Sequence, residues 1–343
     1  MRLKIFCLSA LCIGLLADLA TANEVYKFER EIPIGGEGGW DILTIDSAAH
    51  RLYLSHSTKV VVIDLEKNAV VGEIADTPGV HAFVAVPEVG HGFSTNGKEA
   101  KASVVDLKTL KTIAKVDTGE GPDAAIYESK QGEVYVFNHH GSSATVIDPK
   151  TNKVVATIAL DGSPEFPVAD SAAGRVYVNI EDKSEVAAID TATHKVVATW
   201  PLAPGEGPSG IALDAAHHRL FSTCDNNLMT MLDTESGKIV ATVPIGKGPD
   251  SGAFDEKSQL AFASCGEGVT TIAKEEAPDK LTVVQTLKTE RGARTMALDP
   301  STDKIYLPTA QFEPTPTPSP GAKRQRPKIV PNTFKLLVYE PAK

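Results

Sequence analysis

Seven polar residues recur at intervals of about forty positions, and their types could do chemistry together: Asp41, His81, Asp123, Glu165, Ser209, Asp250 and Arg294. Four carboxylates, an imidazole and a guanidinium around one point would repel and attract strongly enough to shift one another's protonation, or would gather a cation. The oxygen donors suit Ca²⁺ or Mg²⁺. His81, together with His56 or with His139 and His140, suits Zn²⁺ or copper. The candidate metal set is therefore His56, His81, Asp123, Glu165 and Asp250, with Asn138 and His139 adding polar contacts for a ligand. A metal-bound water there could attack an ester or lactone carbonyl. The alternative is that these residues are solvated, cap strand ends and start turns. Their spacing is that of a repeat, not of a metal motif such as H-E-x-x-H.

What must position them is β-structure. Residues 121–158 read as four short strands: an apolar run after Gly121-Pro122, a turn at 129–132, Glu133 to Asn138, a break at His139-His140-Gly141-Ser142, Ala144 to Asp148, a turn at 149–152, and Val154 to Ile158. Runs of β-branched and aromatic residues punctuated by Gly, Pro, Asn and Asp are strand and hairpin signals. The third strand of each copy ends at Asp64, Asp106, Asp148, Asp190 and Asp233, in steps of 42, 42, 42 and 43. Weaker copies follow, with Ala273 and Tyr339 near the Asp position. Four strands in some 40–45 residues is the spacing of a propeller blade. The expected fold is all-β: a seven-bladed β-propeller of four-stranded antiparallel blades. The repeated Asp is expected to bond backbone N–H groups of the turn it starts.

Second strands reading Tyr135-Val136-Phe137-Asn138, Tyr177-Val178-Asn179 and Tyr53-Leu54-Ser55 carry a resemblance to the YVTN-repeat, YncE-like family of bacterial β-propellers. The resemblance spans nearly all of the chain after its leader. It implies a seven-bladed disc, export, and a distant relation to seven-bladed lactonases; no catalytic motif of the family maps onto these residues.

The ends predict how the ring closes. The last copy supplies three strands of its own, and Val25 to Ile34 is an orphan strand that should complete it, removing an open sheet edge. Before it, residues 1–22 read as a cleaved signal peptide: Arg2 and Lys4, an apolar core, then Ala20-Thr21-Ala22. The expected location is periplasmic or secreted. The rest, residues 23–343, reads as one domain with no segment long enough to span a bilayer. A Pro-rich basic insertion at 313–332, with Lys323, Arg324, Arg326 and Lys328, should overhang the channel mouth as a solvated loop, or as a lid or partner contact.

Without the leader, 32 basic and 43 acidic residues remain, a net charge of −11. That balance speaks against nucleic acid as a partner. Cys224 and Cys265 sit at matching strand ends of neighbouring blades, too far apart to be favourable for a disulfide; free thiols are favoured over a bridge or metal ligation. No G-x-S-x-G elbow, Walker loop, dinucleotide fingerprint or haem-attachment motif occurs.

Two functions compete: an exported, non-enzymatic, monomeric binding or scaffolding module whose channel face takes a protein, glycan or small ligand, and a periplasmic metal-assisted lactonase or other hydrolase at the same place.

Overall fold

A computed structural model describes residues 24–314 and 327–342. Each of its seven sheets has four antiparallel strands. Six run in simple chain order from the axis outward, at residues 40–74, 80–117, 122–159, 164–201, 208–244 and 249–288; they are numbered here as blades one to six. Blade seven combines Ala297–Asp299, Lys304–Thr309 and Lys335–Pro341 with the N-terminal strand Tyr26–Pro33. The first and last strands are thus hydrogen-bonded neighbours, and the expected latch is present: Tyr26 pairs with Pro341 and Pro33 with Lys335. The latch also grips blade six, where Gln285 accepts from the N–H groups of Val25 and Tyr26 and donates to the Tyr26 carbonyl.

No blade owns a core. Seven apolar clusters form, one at each seam between neighbours. At the seam of blades three and four, Tyr135, Phe137 and Val146 pack on Val176, Val178 and Ile189. At the closing seam, Leu52, Leu54 and Ile63 meet Leu336 and Val338. A four-stranded sheet has two faces to cover, and only a neighbouring sheet on each side covers both. Innermost strands contact their neighbours all the way round, including Trp40–Asp46 against Ala297–Asp299, so the ring is closed.

The repeated aspartates do local work. Asp64, Asp106 and Asp233 each accept from two backbone N–H groups of the turn that follows, and Asp148 and Asp190 each accept from one. In blade six the equivalent place, opposite Leu260, is held by Lys274, one residue beyond Ala273. The insertion lies between the second and third strands of blade seven, as expected. Its base is a short ladder, with Phe312 bridged to Ile329, Glu313 N–H donating to the Lys328 carbonyl and Val330 N–H to that of Gln311. Lys323, Arg324 and Arg326 lie outside the described residues, as does the leader 1–22.

Candidate functional site

The inner strand of every full blade breaks its ladder at one place. The register slips between Trp40 and Leu43, Val80 and Phe83, Pro122 and Ala125, Pro164 and Pro167, Pro208 and Ile211, and Pro249 and Ser251. Asp41, His81, Asp123, Glu165, Ser209 and Asp250 all sit inside these breaks. A bulge frees residues from pairing and re-aims their side chains, and here it turns six polar side chains to one end of the axis. The loosened backbone is re-satisfied from the second strands. Thr95 Oγ1 accepts from Ala82 N–H and donates to the Asp123 carbonyl, Ser55 Oγ donates to the Ile42 carbonyl, and Asn179 Nδ2 donates to the carbonyls of Ser209 and Gly210. The Asn, Ser and Thr of the second-strand motif therefore serve the backbone beneath the site.

The ring residues meet as ion pairs. Ser209 Oγ lies 3.0 Å from Asp250 Oδ1, Arg294 Nη1 donates to Asp250 Oδ2 at 2.6 Å, and Arg294 Nη2 reaches Asp41 Oδ1 at 3.4 Å. His81 Nδ1 lies 2.7 Å from Asp41 Oδ2 and 3.0 Å from Asp123 Oδ1. Six of the seven positions thus form one unbroken chain, Ser209–Asp250–Arg294–Asp41–His81–Asp123. The seventh, Glu165, is held by His139 at 2.8 Å, with Glu181 4.0 Å beyond.

Protonation follows from these contacts. Hydrogen bonds to Asp123 and Asp41 push His81 up to about 10, against its burial. The bond to Glu165 pushes His139 up to about 9. Burial pushes Glu165 up to about 7 although His139 pulls the other way, and burial pushes Asp250 up to about 6 against the pull of Arg294. At neutral pH the mouth holds two imidazolium ions and a guanidinium among its carboxylates.

The second-strand ends behave differently from expectation. His56, Asn96, Asn138, Ile180, Cys224, Cys265 and Thr309 are all buried. Asn138 turns into its blade and donates to Ser143 and Thr145 rather than facing a ligand. The His56 ring lies tilted against Phe334 with a centroid distance of 4.3 Å, and among the described residues neither of its ring nitrogens has a hydrogen-bond partner and it joins no metal-competent group. Side chains alternate along a strand, so the residue one step later faces the mouth. That is where His139 and Glu181 stand. Glu181 follows the apolar strand end Ile180, so the sequence pattern gives it no mark as a mouth residue. Of the proposed metal residues, His81 and Asp123 converge with Asp41, Glu165 converges with His139 and Glu181, and Asp250 is bound to Arg294 instead. Cys224 and Cys265 are free, buried thiols, each pushed by burial up to about 12.

Beside this ring, at the closing seam, opens a cleft of about 410 Å³. Trp40, Arg291, Arg294, Phe312 and the base of the insertion line it. Trp40 stacks on Phe334 at 5.0 Å, and the Arg291 guanidinium lies 5.6 Å over the Phe312 ring. Among the described residues Arg291 has no carboxylate within 4 Å, and it is exposed.

Comparison with known proteins bears on the fold. No family model matches the chain. No curated protein matches it either. Solved structures do: one titled Kuenenia stuttgartiensis hydrazine synthase superposes with a TM-score of 0.72 at 17% identity, over 79% of this chain and 92% of that one. One titled mitotic checkpoint complex superposes with a TM-score of 0.75 at 12% identity, over 99% and 98%. The chain is a seven-bladed β-propeller. At such identities the likeness is one of fold alone, and a propeller is a scaffold compatible with binding. Among the described residues, no helix is long and apolar enough to cross a membrane.

Proposed function

We propose that this protein is an exported binding propeller, and that the closing-seam cleft beside its channel mouth takes a small organic anion with an apolar body. The observation that carries the reading is the pairing state of the arginines and carboxylates. The mouth carboxylates are already matched by His81, His139 and Arg294, whereas Arg291 stands over Phe312 without a counter-ion among the described residues. A cleft of this volume, with aromatic walls from Trp40 and Phe312 and a guanidinium at its rim, has the make-up of a small-molecule site. Arginine binds carboxylate or phosphate in a bidentate fork.

The test is calorimetric titration with phenyl phosphate, benzoate and neutral benzyl alcohol. The anions should bind and the alcohol should not. Arg291→Ala should weaken the anions by roughly tenfold or more, as expected for loss of a charge-assisted bond. Absence of binding by both anions, or equal affinity in Arg291→Ala, overturns the reading.

A metal-assisted lactonase is the second reading. It is supported by two groups, Asp41–His81–Asp123 and His139–Glu165–Glu181, whose donor atoms lie within 4.8 Å of one another. A cation in the first group has to displace the proton that His81 shares with both carboxylates, so the residues as arranged suit an imidazolium better than a metal. Turnover of a lactone, lost in His81→Ala with folding intact, would restore this reading over the first.

A further inference from the structure

At the far end of the blade-five inner strand, Pro208–Asp214, a second polar cluster lies on the side of the disc away from the mouth. The last residue of that strand caps the turn that follows it, as its carboxylate equivalents in other blades do. Asp214 Oδ1 accepts from the N–H groups of Ala216 and His217. In blades three, six and seven the second oxygen of such a carboxylate meets a neutral donor: Gln131 N–H at Glu128, Ser258 Oγ at Asp255 and Thr302 Oγ1 at Asp299. Asp214 Oδ2 instead faces His217 Nδ1 at 2.6 Å, and beside both stands a second carboxylate, Glu275.

Glu275 comes from blade six. Third strands in the preceding blades have six residues, but this one, Val269–Ala277, has nine, and its extension carries Glu275 onto the blade-five turn. The residue is only 7% exposed, and among the described residues its buried Oε2 has no donor in reach, the polar group it meets being the Asp214 carboxylate. The neighbouring Arg219 does not supply one. Its Nη1 goes to Asp233 and the carbonyls of His217 and His218, and its Nε to the carbonyl of Pro278. An unpartnered carboxylate oxygen in such a place is costly. Donor atoms of Asp214, His217 and Glu275 lie within 4.8 Å of one another.

We propose that Asp214, His217 and Glu275 form a divalent transition-metal site, with zinc the best-suited ion, across the seam of blades five and six. Two carboxylates and one imidazole neutralise a dication and match the donor preferences of Zn²⁺. Asp214 is already oriented by the two backbone N–H groups on its other oxygen, the outer contact that fixes a ligand's direction. His217 is exposed, so the fourth position opens to solvent and the site can load without unfolding. The ion would tie blade five to blade six.

The experiment is calorimetric titration of the chelator-treated full chain with Zn²⁺, repeated on His217→Ala, Glu275→Gln and, as a control for the mouth, His81→Ala. The wild type and His81→Ala should take up one equivalent at this site and gain thermal stability from it. His217→Ala and Glu275→Gln should bind about tenfold or more weakly and lose that gain. His217 is a surface residue, so its variant keeps the fold even if Glu275→Gln does not. The proposal is overturned by no uptake of Zn²⁺ or by uptake unchanged in His217→Ala.

Discussion

His81 Nδ1 stands 2.7 Å from Asp41 Oδ2, joining residues forty positions apart in neighbouring blades. With Asp123 Oδ1 3.0 Å from the same nitrogen, the imidazole is the positive centre of a pair of carboxylates that would otherwise repel across the mouth. Stability should therefore follow its protonation. Its pKa in the folded chain, about 10, lies above the ordinary 6.5. The contribution is complete below about pH 6.5 and disappears as pH rises through 10. Denaturant midpoints measured from pH 6 to 10 should fall, and those of His81→Ala should fall less. Histidine ring signals in NMR titrations should show His81 protonated well above pH 7 in the wild type and at lower pH in Asp123→Asn. Titration of His81 near 6.5 in the wild type would refute the clamp.

The N-terminal strand should be indispensable. Tyr26 is buried, packs edge-on against Phe262 at 5.2 Å, and donates its hydroxyl to the Asp303 carbonyl. Tyr26→Ala should cost about 3–5 kcal/mol, the usual range for emptying a buried aromatic position. Removing residues 24–34 should abolish cooperative unfolding, because blade seven would lose its outer strand and the ring its closure. A melting temperature close to wild type would contradict this.

Blades five and six approach closely at two glycines, Gly210 and Gly252. A Cβ on Gly210 would lie 2.5 Å from the backbone N of Gly252. Backbone on both sides can yield only by moving whole strands. Gly210→Ala should destabilise by about 1–3 kcal/mol in urea unfolding, and a wild-type midpoint would show that the strands have room.

Neither Cys224 nor Cys265 should react in the folded state. Both are buried and their thiols titrate far above neutral pH. Protein starting at Asn23 should show two thiols towards a disulfide reagent in denaturant without reductant, and close to none when native. Rapid native labelling would mean the blade interior opens.

The repeat was legible because its signals are local. An aspartate bonding the next turn, as at Asp148 and Lys150, needs no partner from elsewhere in the chain. Counting from one such turn to the next sufficed to number the blades, to find the orphan strand at Val25 to Ile34, and to bring Asp41, His81, Asp123, Glu165, Ser209, Asp250 and Arg294 to one end of the axis. Direction was less legible than position. Asn138 and His56 look like mouth residues in sequence, yet the pleat turns them inward, while Glu181, one step past its strand, turns out.

The amino-acid order by itself thus determined a closed ring of similar sheets, since β-periodicity, turn chemistry and repeat length are properties of neighbours along the chain. Only the tertiary structure decided the pairings: His81 between two carboxylates, Arg294 between Asp250 and Asp41, Arg291 over Phe312, and Glu275 beside Asp214. Each of these contacts joins different blades or lies across the ring's closing seam. Their distances depend on bulges, strand extensions and seam packing that no single stretch of sequence specifies, and charge interactions change steeply over those few ångströms.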